Sequence, residues 1–150
     1  MRFNDGGTDA TNRFAKILPS LVSNNGTIYF VTSRETFSAG IGAAAQIKKF
    51  GDGRVRIVGG LVGDRLRSIA NGGNEFKLPN LGISARVWST VEDYADGCWD
   101  WSECFVFSPF FRTEGVRDLD PHIVIPTSFA DYVSNRDPVL DAILSEVNGL

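Results

Sequence analysis

Cysteine and histidine are scarce in this chain: two of the first and one of the second occur among 150 residues. Cys98 and Cys104 stand six positions apart, and no further ligands cluster beside them, which excludes an ordinary four-ligand zinc site. By spacing alone they are either two free thiols or one short-loop disulfide; such a bridge would contribute roughly 2 kcal/mol on the chain-entropy estimate. No run of about eighteen apolar residues is present, which leaves nothing to span a bilayer as a helix. Net charge is −3 and no basic block exists, which argues against nucleic acid or an anionic membrane as the main partner. Asp93, Asp96, Asp100 and Glu103 follow no calcium-loop spacing, so neither a metal nor a cofactor is expected. Repeats and low-complexity tracts are absent. The opening Met1-Arg2-Phe3-Asn4-Asp5-Gly6-Gly7 has no apolar stretch of the signal-peptide kind. It reads instead as a strand end running into a glycine turn, a start that hints at sequence missing upstream.

What is present suits one α/β domain over residues 1–150, at 43% hydrophobic content. Thr8 can cap a helix whose Phe14, Ile17, Leu18 and Leu21 share a face, with Pro19 kinking or shortening its last turn. Thr27–Val31 reads as a strand, Ser38–Phe50 as a helix closed by Gly51, and Arg54–Val58 as a second strand. Strand, helix, strand at this spacing predicts a βαβ unit with a buried parallel pair. Glu75–Leu78 and Ile83–Trp88 read as strands joined by a turn at Pro79-Asn80. The aromatic stretch Glu92–Arg112 carries no clear period. His122–Ile125 is a short strand. In the last helix Asp137 caps, Pro138 takes the first position, and Leu140, Ile143, Leu144 and Val147 are expected to face inward.

One segment suits chemistry. Ile28 to Gly40 delivers a strand to Ser38 at the start of a helix built from Ala39, Gly40, Gly42 and Ala43. Unpaired N–H groups and the helix dipole at such a start favour negative charge, which suits a nucleophile whose attack creates an oxyanion. The N–H of Ala39 is then one oxyanion donor, and the Gly6-Gly7 turn is a candidate for the second. The residues alone favour Ser38, or Thr36, as a plain helix cap, since capping serines are common and the pattern is short. Trp88, Tyr94, Trp99, Trp101, Phe105, Phe107, Phe110 and Phe111 crowd one region, as a peptide groove or as a local core.

Asn4-Asp5-Gly6-Gly7, then Thr36-Phe37-Ser38-Ala39-Gly40, then Arg54–Gly59 resemble successive landmarks of the tail-specific (C-terminal-processing) and tricorn-like serine peptidases. Asp120–Pro126 is similar to the family's Pro-Asp-Ile-x-Val segment, and Ser128–Tyr132 with Arg136–Ala142 to its closing helix pair. The match runs from about residue 2 to 147. It implies a ClpP/crotonase-like core of ββα units, here the C-terminal portion of the peptidase domain. It also implies an exported protein, acting on peptide or protein substrates, in which Cys98 and Cys104 are joined. Ser38 would be the nucleophile, with Ala39 and the Gly6-Gly7 turn as oxyanion donors.

Three departures from the family pattern stand out. Where lysine-using members carry a Gly-Lys pair, this chain has Gly63-Asp64-Arg65, and an arginine stays protonated and cannot act as a base. Ile41 and Gly60 replace acidic residues. His122 falls on a strand position and reads as a strand-end histidine, while Glu114 and Asp64 are candidates for an orienting acid. The expectation is therefore a serine-type peptidase whose general base comes from a missing upstream region. The competing expectation is a non-catalytic remnant that binds peptide or associates with itself through exposed apolar faces.

Overall fold

The computed structural model describes residues 9–51 and 53–149. The chain forms two compact units, one comprising the chain up to Asp64 and from Leu119 onward, the other Arg65–Asp118. The single domain expected over residues 1–150 is thus built from two clusters, and nothing in the composition marks their boundary.

The first unit is α/β. Helix α1 (Asp9–Leu21) leads to strand β1 (Ile28–Thr32), helix α2 (Ala39–Phe50) and strand β2 (Val55–Gly59). β1 and β2 pair in parallel from Ile28↔Val55 to Thr32↔Gly59, so the expected βαβ unit is present. Strand β7 (Ile123–Val124) joins the other edge of β2, also in parallel, through Val58↔Ile123 and Gly59↔Val124. Phe30, Ile57 and Val58 are fully buried, as is the whole of α2 from Gly40 to Ile47. That burial explains most of the composition of α2: alanine, glycine and aliphatics fit a helix covered on every side, and Gln46 is the one polar residue of the buried stretch. α1 packs against α2. The guanidinium of Arg54 ties down its far end, donating to the carbonyls of Pro19 at 2.8 Å and of Ser23, just beyond the helix, at 3.0 Å.

On α1 Ala15 is buried, Phe14 and Leu18 are half-buried, and Ile17 and Leu21 are exposed. The apolar face expected of this helix is therefore only partly covered; close approach to slim α2 places the small Ala15 at the contact instead. Thr8, its expected cap, lies outside the described residues. Helix α3 (Phe129–Val133) starts on a reciprocal cap: the Ser128 hydroxyl accepts the Asp131 N–H, and the Asp131 carboxylate accepts the Ser128 N–H. Helix α4 (Pro138–Val147) is capped by Asp137, whose carboxylate accepts the Leu140 N–H, as the sequence predicts. Its inward face differs from expectation. Val139 is buried and Glu146 reaches Arg56 on β2 at 3.0 Å, while Leu140, Leu144 and Val147 are exposed.

The second unit has no described helix. Strands β3 (Arg67–Ile69) and β6 (Val91–Asp93) form one antiparallel pair, and β4 (Asn74–Lys77) and β5 (Ser84–Val87) another. The hairpin β4–β5 was legible from its turn. The β3–β6 pair was not. Cys98 and Cys104 are joined by a disulfide and both are buried. Of the aromatic cluster, Phe110 is fully buried and meets Tyr94 edge-on at 5.2 Å, while Trp88, Trp99, Trp101 and Phe107 are exposed. Burial pushes the Tyr94 phenol well above its ordinary value, helped by its hydrogen bond to Glu92. Asp93 is buried but satisfied: it accepts the N–H groups of Ala95 and Asp96 and faces Arg67 at 3.5 Å.

Candidate active site

The site is built where β1 ends. Thr32, the last residue of the strand, is buried; its hydroxyl donates to the Gly60 carbonyl at 2.7 Å, and the Gly60 N–H donates back to the Thr32 carbonyl at 2.9 Å. The next four residues close on themselves. The Thr36 N–H donates to the Ser33 carbonyl at 2.9 Å, and the Ser33 N–H to the Thr36 hydroxyl at 3.0 Å. Thr36 is thereby spent on the loop and buried, so it does not cap α2. Its carbonyl accepts the Gly63 N–H at 3.0 Å, tying the turn to the segment beyond β2. Side chains are excluded at that crossing: a Cβ on Gly63 would lie 1.9 Å from the Arg34 carbonyl oxygen.

The chain then makes a second tight turn. The Gly40 N–H donates to the Phe37 carbonyl at 2.9 Å, and Ser38 between them has φ 52° and ψ −120°. These are the angles of the first central residue of a type II′ turn, a place usually given to glycine because a Cβ is strained there. Strain of this kind costs about 1–3 kcal/mol and is kept where surrounding contacts over-determine the backbone. Ser38 is exposed and its hydroxyl makes no capping bond, so it holds the cap position without acting as a cap. Its carbonyl accepts the N–H groups of Ile41 and Gly42, starting the helix. Among the described residues the Ala39 N–H has no acceptor. An exposed hydroxyl on a strained strand-to-helix turn, followed by a free N–H at a helix N-terminus, is the arrangement of a nucleophile elbow.

The remaining sequence candidates fall elsewhere. Gly6 and Gly7, the expected second oxyanion donors, lie outside the described residues. Asp64 is exposed and follows Gly63, at the end of the first unit; Glu114 is an exposed residue of the second. His122 has a structural job: its Nδ1 accepts the Ile57 N–H at 3.0 Å while its own N–H donates to the Ile57 carbonyl at 2.7 Å. Among the described residues no group forms a hydrogen bond to the Ser38 hydroxyl. No group of three or more His, Cys, Asp or Glu among the described residues is gathered to hold a metal ion.

Sequence reasoning missed an open cleft of about 890 Å³ at the carboxyl ends of β1 and β2. One wall is the Ser33–Thr36 turn and the other is the loop from Tyr132 to Val139, with Gly59 and Gly60 between. In open α/β sheets ligands bind at this end of the strands. The signal that could have found it is Ser134-Asn135-Arg136-Asp137-Pro138, a turn sequence in which Asn135 has φ 53°. Arg136 is held in that wall by Asp141 at 3.3 Å.

No protein-family model matches the chain, and no curated protein matches it. No described helix is long and apolar enough to cross a membrane.

Proposed function

We propose that the chain is a serine-type hydrolase with a ClpP/crotonase-like core, cleaving peptide bonds through an acyl-enzyme on Ser38. The observation that carries this reading is the backbone of Ser38: a non-glycine residue held at φ 52°, exposed, immediately before an unpaired N–H. The Ser38 oxygen would attack the scissile carbonyl carbon, and the developing oxyanion would lie on the Ala39 N–H and the positive end of α2. Expulsion of the amine leaves an ester on Ser38, which water hydrolyses to return the serine. The proton passes through a general base supplied from outside the described residues, and the Gly6-Gly7 turn is the proposed second donor. The cleft lined by Ser33–Thr36, which Ser38 itself does not line, would hold the peptide. The disulfide is consistent with an exported protein, since such bridges persist in oxidising compartments.

The test is labelling with a fluorophosphonate, with mass spectrometry of the tryptic peptide. Stoichiometric modification of Ser38, absent in Ser38→Ala, supports an activated serine. A rate no faster than that of free serine sinks it and favours the second reading, a non-catalytic remnant. That reading draws on the exposed apolar stripe Leu140, Leu144 and Val147 on α4.

A further inference from the structure

Hairpin β4–β5 has two unlike faces. Partners across its ladder share a face, as do residues two apart along a strand. The register Asn74↔Val87, Glu75↔Arg86, Phe76↔Ala85 and Lys77↔Ser84 therefore places Phe76, Ala85 and Val87 on one side, with Asn74 at its end as the polar member. Leu78 and Ile83 extend that side, joined by the Leu78 N–H to the Ile83 carbonyl at 2.9 Å. Glu75, Lys77, Ser84 and Arg86 take the other side. There the chain satisfies its own charges: Arg86 meets Glu75 at 3.1 Å and lies over the Trp88 ring at 5.2 Å. The apolar side is bare. Phe76 is 46% exposed, Ile83 57% and Val87 62%, and Leu81 at the tip reaches 69%.

A two-stranded sheet alone is marginal in water and requires a covering layer or a third strand. Among the described residues β4 and β5 pair only with each other. We propose that the covering layer is the same hairpin of a second copy of this chain, the two apolar faces stacked about a two-fold axis. Size and chemistry point to that occupant. The exposed parts of Phe76, Leu78, Leu81, Ile83 and Val87 amount to on the order of 500 Å² per copy, so stacking two removes at most about 1,000 Å², the size of a weak, concentration-dependent dimer. A foreign partner would have to bring an equally apolar surface of the same dimensions, whereas two-fold symmetry supplies it from the chain itself. No charged side chain enters the interface, because the ion pair points away from it. This association is independent of the chemistry at Ser38.

The experiment is sedimentation velocity of the full chain from about 1 to 200 μM, with Phe76→Asp/Val87→Asp and Lys77→Glu/Ser84→Glu beside it. A concentration-dependent dimer is expected for the parent and for the polar-face variant, and a monomer for the apolar-face variant with an unchanged circular dichroism spectrum. Ala85→Cys should be captured as a dimer by a short bismaleimide, the native cysteines being joined to each other. A parent that stays monomeric throughout overturns the proposal. So does a dimer that survives Phe76→Asp/Val87→Asp but is lost in Leu140→Asp/Leu144→Asp, which would place the contact on α4.

Discussion

The Gly63 N–H donates to the Thr36 carbonyl two residues before Ser38, at a crossing where the backbone of Arg34 leaves no room for a Cβ. The serine's backbone is therefore held from a segment beyond β2, not by its own turn alone. Gly63→Ala must push the two backbones apart. A loss of about 1–3 kcal/mol in chemical denaturation is expected, as for other overpacked sites. Labelling of Ser38 should slow by about tenfold or more, because small displacements of reacting groups are costly. Labelling at the parent rate would show that this tie does not set the serine's position.

Ser38 itself is a test of stored strain. Glycine relaxes at φ 52° where alanine does not, so Ser38→Gly and Ser38→Ala should part company. Relief of about 1–3 kcal/mol, less about 0.5–1 kcal/mol for the freer unfolded chain, leaves Ser38→Gly more stable than Ser38→Ala by about 1 kcal/mol. Urea unfolding of both variants reads this directly. Equal midpoints would mean that the turn is not strained.

His122 serves the sheet. Its Nδ1 is an acceptor for the N–H of fully buried Ile57. His122→Phe should destabilise the chain by about 1–3 kcal/mol through an unsatisfied buried donor. His122→Asn keeps an acceptor at the same reach and should recover much of that loss. Labelling of Ser38 in the folded fraction should be unchanged in both. A selective loss of labelling with no loss of stability would make His122 a base instead.

Acid should weaken the cap of α3. The Ser128 hydroxyl holds the Asp131 carboxyl below its usual range, aided by the Ser128 N–H and by nearby Arg136. The folded chain thus binds this proton less readily than the unfolded chain, where an aspartate titrates near about 3.9. The contribution is complete above that value and fades as pH falls through the lower folded one. Protection of the Asp131 and Tyr132 amides, taken relative to the intrinsic exchange rate at each pH, should fall below about pH 4 in the parent. Asp131→Asn should lose this dependence; an identical pH profile in that variant would rule out the cap as its source.

Legibility followed length and pattern. The βαβ unit was readable because Ile28–Thr32 and Val55–Gly59 are apolar runs flanking a helix of slim residues. The capped start of α4 was readable because Asp137-Pro138 is local chemistry. Its buried side was not: periodicity shows that Leu140, Leu144 and Val147 form a stripe, but not that anything covers it. β3 and β6 have three residues each, too few to show alternation, and their partners lie far apart in the chain. At the site, the position of Ser38 was legible but its backbone was not, because a serine carries no mark of positive φ. The cleft stayed hidden because its walls come from two loops about a hundred residues apart.

Strand β7 reaches β2 only after the whole of Arg65–Asp118 has intervened. The consequence is one of timing. α1, β1, α2 and β2 lie together in the chain and can condense early, whereas the third strand arrives through a long closure. Each doubling of such a closure adds only about 0.6 kcal/mol, yet distant pairings slow the search for the native state. During synthesis the edge of β2 would stand open while the second unit emerges, and the seating of Ile123 and Val124 would wait on that closure.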